Sequence, residues 1–249
     1  MIRRKMSKKT AVLYTFHIIK PQLQHYINSS FEAKDVDFYL IPCGIDLKGV
    51  TVPDHMKILP RANKGYDFGA WSDALLNDEL YKRYTHFIFI NCSVAGPFTP
   101  SYFQGRWTDL FIDPLNDQVK LFGTTINTIS QVGVCAHVQS FVFSMDREAL
   151  ELLITKRIFT QKVYCRSILQ TVACREVRMS REIIKAGWNI GCMLRCYRGI
   201  DFRTVKHVIV DGDVCYPNRY FGQTTHPYEV VFVKANRGQN LTWLAIYED

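Results

Sequence analysis

Apolar and polar positions change period several times along the chain, and each change marks an element. Residues 10–17, TAVLYTFH, form a β-branched and aromatic run that reads as a buried first strand. PQLQHYINSSFEA follows, with Leu23, Tyr26, Ile27 and Phe31 at helical spacing behind a proline start. DVDFYLIPCG predicts a second strand stopped by Pro42 and Gly44, and KIL, at 57–59, a short third one. Ala70, Leu75, Leu76 and Leu80 suit a helix over 71–80, and THFIFIN, at 85–91, is apolar without alternation, as a central strand covered on both faces should be. KLFGTTIN and HVQSFVFSM predict two further strands. A helix begins after Ser144 or Asp146 as cap, and another spans CREVRMSREIIKAG, with Ile183 and Ile184 inward and Gly187 as its stop. The last segments, HVIVDGDVCYPN and PYEVVFVKAN, read as edge strands or a lid.

Strands alternating with helices predict an α/β fold with a mostly parallel central sheet flanked by helices. With 249 residues, 47% of them hydrophobic, the chain is expected to form one domain over 1–249. Composition then narrows the picture. No apolar run reaches the ~18 residues needed to span a bilayer, and the basic N-terminus lacks a small-residue cleavage site, so a soluble, cytoplasmic protein without a transmembrane segment is expected. The eight cysteines form no CxxC pair and lie in core-like surroundings such as IPCGI and IGCMLRCY, which favours reduced thiols. A formal charge of +8 favours an anionic partner. Nucleic acid is not the expected one, because zinc-finger spacing, RNP-type aromatics and arginine tracts are lacking.

In an open parallel sheet, ligands sit beyond the carboxyl ends of the strands. That directs attention to ANKGYDFGAW, residues 62–71, and to Asn91, Cys92 and Ser93 after FIFI. Gly65 and Gly69 permit close backbone approach to a phosphate or sugar, Asn63 and Asp67 offer directional hydrogen bonds, and Tyr66 or Phe68 a flat stacking surface. An ordinary helix-start turn, with Asp67 as N-cap and the aromatics in the core, accounts for the same residues. Trp71 and Trp107 are open to sugar stacking or to core packing.

NKGYDFGAW, FIFINCSVAGPFTP, HVQSFVFSMDREAL, EVRMSREIIKAGW and HPYEVVFVKANR, in this order, resemble glycosyltransferases of the GT-A fold, notably the rhamnan-synthesis and algal-virus sugar transferases. The resemblance spans 10 to about 237. It implies a Rossmann-type domain with a nucleotide-binding half at about 10–100 and an acceptor-side half at about 101–249, transferring a sugar from a nucleotide sugar to a glycan or glycoconjugate. A catalytically silent sugar- or nucleotide-binding module of the same fold is the alternative. The donor side it implies is Thr15, Asn63, Lys64, Gly65, Tyr66, Asp67, Asn91 and Ser93; His137, Gln139 and Ser140, a polar entry to an apolar strand, are read as the acceptor side, with a structural histidine beside the core as the alternative for His137. Glu176 is the implied base, taking a proton from the acceptor hydroxyl in an inverting displacement, although a carboxylate in the first turn of a helix also serves the dipole. Asn91-Cys92-Ser93 stands where such enzymes carry Asp-x-Asp, and neutral groups are poor ligands for manganese or magnesium. Two alternatives therefore stand: a divalent manganese or magnesium ion as cofactor, or a metal-independent mechanism in which Lys64, or Lys234 or Arg237 on a mobile tail, neutralises the departing diphosphate. His226 is either a diphosphate or metal contact or a turn residue before Pro227, and Asp211-Gly212-Asp213 is read as a tight hairpin turn.

Overall fold

The computed structural model describes residues 9–129, 136–205, 210 and 212–238. Its strands are β1 (Thr10–Phe16), β2 (Val36–Pro42), β3 (Met56–Ile58), β4 (His86–Asn91), β5 (Val94–Ala95), β6 (Val119–Gly123), β7 (Ile126–Asn127), β8 (His137–Val138), β9 (Val142–Asp146), β10 (Asn189–Cys192) and β11 (Val233–Lys234). The helices are α1 (Pro21–Asn28), α2 (Tyr66–Leu76), α3 (Asp109–Ile112), α4 (Arg147–Thr155), α5 (Ile168–Thr171), α6 (Arg178–Lys185) and α7 (Pro227–Val230).

Seven strands form one sheet in the order β10-β6-β9-β4-β1-β2-β3. All neighbours are parallel except β9, which runs antiparallel to both β4 and β6. The expected α/β class with a mostly parallel sheet therefore holds, with one reversed strand inside it. Alternate residues of β1 enter the two halves of the core: Ala11 and Leu13 meet Trp71, Leu150 and Ile183 on one face, whereas Val12, Tyr14 and Phe16 meet Leu23, Tyr26 and Phe111 on the other. A sheet apolar on both faces must be covered on both, and α2, α4 and α6 lie opposite α1 and α3. Trp71 is fully buried and donates Nε1–H to the Leu13 carbonyl at 3.2 Å; Trp107 is buried too, its Nε1–H on the Ser29 carbonyl. Both indoles serve packing.

Several predicted boundaries move for local reasons. Helix α1 stops at Asn28, leaving Phe31 78% exposed. Helix α2 starts five residues before Trp71, because Gly65 (φ 75°) and Tyr66 (φ 56°) both take the left-handed conformation that turns the chain into it. It also ends at Leu76, where a kinked 3₁₀ segment, Asn77–Arg83, takes over. The run HVQSFVFSM divides into β8 and β9 around residues 139–141. Asp146, not Ser144, caps α4 by accepting from the Ala149 N–H, while the Ser144 hydroxyl is buried on the Phe111 carbonyl. CREVRMSREIIKAG is the end of a longer helical run in which α5 passes through a π-helical turn, Val172–Val177, into α6. Gly187 does end it, at φ 88°. PYEV is a short helix, and VK pairs with β5 as β11. The seven cysteines among the described residues are free thiols, and Cys135 lies outside them.

Candidate functional site

β1 and β4 run parallel, with Thr15 opposite Asn91, so their carboxyl ends lie side by side. The start of α2 reaches this edge: Asn91 Nδ2 donates to Asp67 Oδ2 at 2.7 Å. The other end of the Asn91 amide accepts from the Ser93 backbone N–H at 3.0 Å and from the Ser93 hydroxyl. Asn91 thus uses both ends of its side chain inside the protein, bracing the turn after β4. Thr15 turns its hydroxyl to Cys43 Sγ at 3.3 Å, and the Cys92 thiol faces His17 Nδ1 at 3.8 Å.

Glu176 enters from the π-helical turn. An extra residue in a helical turn shifts the side chains that follow it, and such turns recur at functional sites. Because the helical run begins at Ile168, Glu176 lies well inside it, and the first-turn dipole role does not apply. Glu176 Oε2 accepts from the Ser140 backbone N–H at 2.7 Å and from its hydroxyl at 2.5 Å, while Oε1 faces His137 Nε2 at 3.7 Å. Ser180, one turn further along, accepts from the Val138 N–H at 3.0 Å and fixes β8, which carries His137.

Lys234 completes the cluster. It is no tail residue: Val233 and Lys234 pair with Ala95 and Val94, and the Ala235 N–H donates to the Ser93 carbonyl at 2.8 Å. Its ammonium lies 4.8 Å from the centre of the Phe141 ring. Burial pushes the Lys234 ammonium below the ordinary lysine value, and Arg237 adds to the shift, whereas Glu176 and Asp67 act against it. Burial likewise raises the Asp67 carboxyl above the usual aspartate range; the Asn91 hydrogen bond and the charges of Lys234 and His17 oppose that shift, and Glu176 reinforces it. The three share a neighbourhood around residues 140 and 141: the Phe141 carbonyl accepts from the Asn91 N–H at 3.0 Å, next to Ser140, which holds Glu176, and the Phe141 ring lies under Lys234. Arg237 stacks its guanidinium 5.1 Å from the Tyr216 ring centre and keeps a buried Nε–H without a hydrogen-bond partner among the described residues.

Other candidates lie apart or are occupied. The Cβ position at Gly65 falls 2.4 Å from Tyr164 Cδ1, and that at Gly69 falls 2.7 Å from the Lys64 carbonyl, so protein packing already requires both glycines. Lys64 lies over the Tyr164 ring at 4.6 Å, Asn63 is exposed, and Tyr66 is exposed at the start of α2. Gln139 spends its amide within the protein: Oε1 accepts from Thr125 and Cys215, and Nε2 donates to Asp213. Asp213 also accepts from the Cys215 N–H, while Asp211 lies outside the described residues. His226 caps α7, its Nδ1 accepting from the Tyr228 N–H at 3.2 Å.

Sequence reading missed His17, although its place directly after the first strand marks it under the carboxyl-end rule. It also missed Tyr164, whose hydroxyl donates to Asp73 at 2.6 Å beside the Arg61–Asp73 ion pair; no local pattern announces a contact across 91 residues. Among the described residues, no three His, Cys, Asp or Glu side chains gather as metal ligands. A groove of about 800 Å³ along β10 and the 195–203 segment is lined by none of the sequence candidates.

The family model described as Rhamnan synthesis protein F matches residues 51–214, more than half of the chain. No curated protein matches. Similar solved structures include CMP:2-keto-3-deoxy-manno-octonic acid synthetase complexed with CTP, at 10% identity over 74% of this chain and 89% of that one, with a TM-score of 0.42. Another is a glycosyltransferase involved in the glycosylation of the major capsid of PBCV-1, at 11% identity over 96% and 98%, with a TM-score of 0.39.

Proposed function

The chain belongs to the rhamnan synthesis protein F family, and from that premise we propose that it transfers a sugar from a nucleotide-sugar donor to a glycan or glycoconjugate acceptor, with inversion at the anomeric carbon. The observation that carries this reading is a convergence on the segment between β8 and β9: the Phe141 carbonyl accepts from the Asn91 N–H, Lys234 lies over the Phe141 ring, Ser140 holds Glu176, and Asn91 holds Asp67. Glu176 is the base. Ser140 holds Oε2 from two donors, leaving Oε1 to take the acceptor proton as the acceptor oxygen bonds to the anomeric carbon. The bond from that carbon to the diphosphate oxygen breaks on the opposite face, and the electron pair leaves with the nucleoside diphosphate.

Cations supply the charge stabilisation in this reading. Lys234 and the Nε–H of Arg237, which has no hydrogen-bond partner among the described residues, meet the growing negative charge of the leaving group. A divalent ion fits the donor set poorly. Asn91 is consumed by Asp67 and Ser93, and a lysine ammonium shares the neighbourhood of the two carboxylates that a dication would need. No step is assigned to a metal.

The test is release of nucleoside diphosphate from a panel of nucleotide sugars by the native chain and by Glu176→Gln. The amide oxygen can still accept from Ser140, so the variant keeps its fold and its donor affinity while kcat falls about 10²–10⁴-fold. Turnover unaffected by the substitution removes Glu176 from the mechanism. If the native chain binds donors yet turns over none, the protein is a binding module of the same fold.

A further inference from the structure

From Thr155 to Arg175 the chain carries five cations, Lys156, Arg157, Lys162, Arg166 and Arg175, and no acidic residue. Within this stretch Val163 is 59%, Ile168 58% and Leu169 79% exposed. Apolar side chains of this size standing together in water mark a contact surface more often than a fold requirement. They are not loose. Arg175 is buried and donates to the Arg157 carbonyl and, at 2.8 Å, to the Val163 carbonyl; Tyr164 is pinned to Asp73; Ser167 caps the Gln170 N–H at 3.1 Å. The ridge is held from beneath with Val163, Ile168 and Leu169 directed outward. Lys64, over the Tyr164 ring, adjoins it. Phe31, also exposed, differs, for Glu32 and Asp35 stand close by in the chain.

We propose that the 162–169 ridge, with Lys64, docks on an anionic lipid surface. Val163, Ile168 and Leu169 enter the boundary between headgroups and acyl chains, and Lys64, Lys162 and Arg166 meet the lipid phosphates. The apolar residues decide the partner. A nucleic acid would engage the cations and leave Ile168 and Leu169 in water, whereas a lipid surface takes up both. The contact is peripheral, since no helix among the described residues is long and apolar enough to cross a membrane. Because Arg175 anchors the ridge and directly precedes Glu176, docking fixes the orientation of the candidate site to the bilayer. The inference does not depend on the glycosyltransfer reading.

Flotation of the full chain with phosphatidylcholine vesicles, with and without phosphatidylglycerol, tests it at low and high salt. Binding is expected only with the anionic lipid and should weaken with salt. Lys162→Ser/Arg166→Ser should weaken it about fivefold for each charge removed, and Ile168→Ser/Leu169→Ser at least about tenfold. All four side chains are exposed, so unfolding midpoints should stay where they are. Absence of binding to anionic vesicles overturns the proposal. So does binding that the Ile168→Ser/Leu169→Ser variant leaves intact, which would show the cations attracted to lipid phosphates with no entry of the ridge into the bilayer.

Discussion

Gly65 can be replaced by alanine to ask why a glycine stands in the loop that leads to the site. Its φ of 75° costs an alanine about 1–2 kcal/mol relative to glycine. The new methyl group would also lie 2.4 Å from Tyr164 Cδ1 and 3.0 Å from its Cβ and Cγ, so the ring must move. Moving it breaks the 2.6 Å hydrogen bond from the Tyr164 hydroxyl to Asp73, a bond to a charged acceptor, of a kind that contributes about 1.5–3 kcal/mol. Together these give a destabilisation of about 2.5–5 kcal/mol. In a Tyr164→Ala background only the backbone part remains, about 1–2 kcal/mol. Equilibrium denaturant unfolding of the four chains in the cycle yields the coupling energy, expected at about 1.5–3 kcal/mol. An equal loss in both backgrounds, or a loss below about 1 kcal/mol with Tyr164 present, refutes the packing account. A normal stability combined with lost donor affinity would reassign Gly65 to ligand approach.

Three further outcomes follow from the same geometry. Lys234→Met keeps the stem and removes the charge, so kcat/KM for the donor should fall about 10–150-fold without loss of thermal stability; unchanged steady-state kinetics would take Lys234 out of the site. For Asp67, burial raises the folded-state pKa above the unfolded one, so the native chain loses stability as pH rises from the ordinary aspartate value through the folded value. Asp67→Asn keeps an oxygen for Asn91 and should be flat over that window and more stable above it; thermal midpoints across pH that fall further in the variant refute this sign. Arg61→Ala leaves Asp73 with the Tyr164 hydroxyl but no countercharge, in a setting where the two ion-paired side chains are 8% and 14% exposed, and should destabilise by about 3–5 kcal/mol in denaturant unfolding; a change below about 1 kcal/mol would show the pair to be solvated.

The sheet was legible where burial on both faces leaves no choice of residue. The runs at β1, β2 and β4 are continuous and apolar, and their order with intervening helices announced the α/β class. Strand direction was not legible: β9 looks like its neighbours in composition, yet it runs the other way. Nor was the start of α2, since Tyr66 at positive φ follows no propensity and Gly65 provides no cap side chain. In the site, Glu176 stood out through the run EVRMSRE, and Asn91 through its place after an apolar strand. What the sequence hid were pairings at long range. Lys64 stands over the Tyr164 ring, a partner far along the chain, and Gln139, expected on the acceptor side, spends its amide on Thr125, Cys215 and Asp213.

The two-residue ladder between β5 and β11 bears on timing. Residues 233 and 234 must return to residues 94 and 95 before the ammonium reaches the carboxylates. On the ribosome, the sheet strands up to β10 can emerge and begin to assemble while the cluster still lacks its cation. An activated sugar met before that pairing forms would find the proposed base without its proposed countercharge.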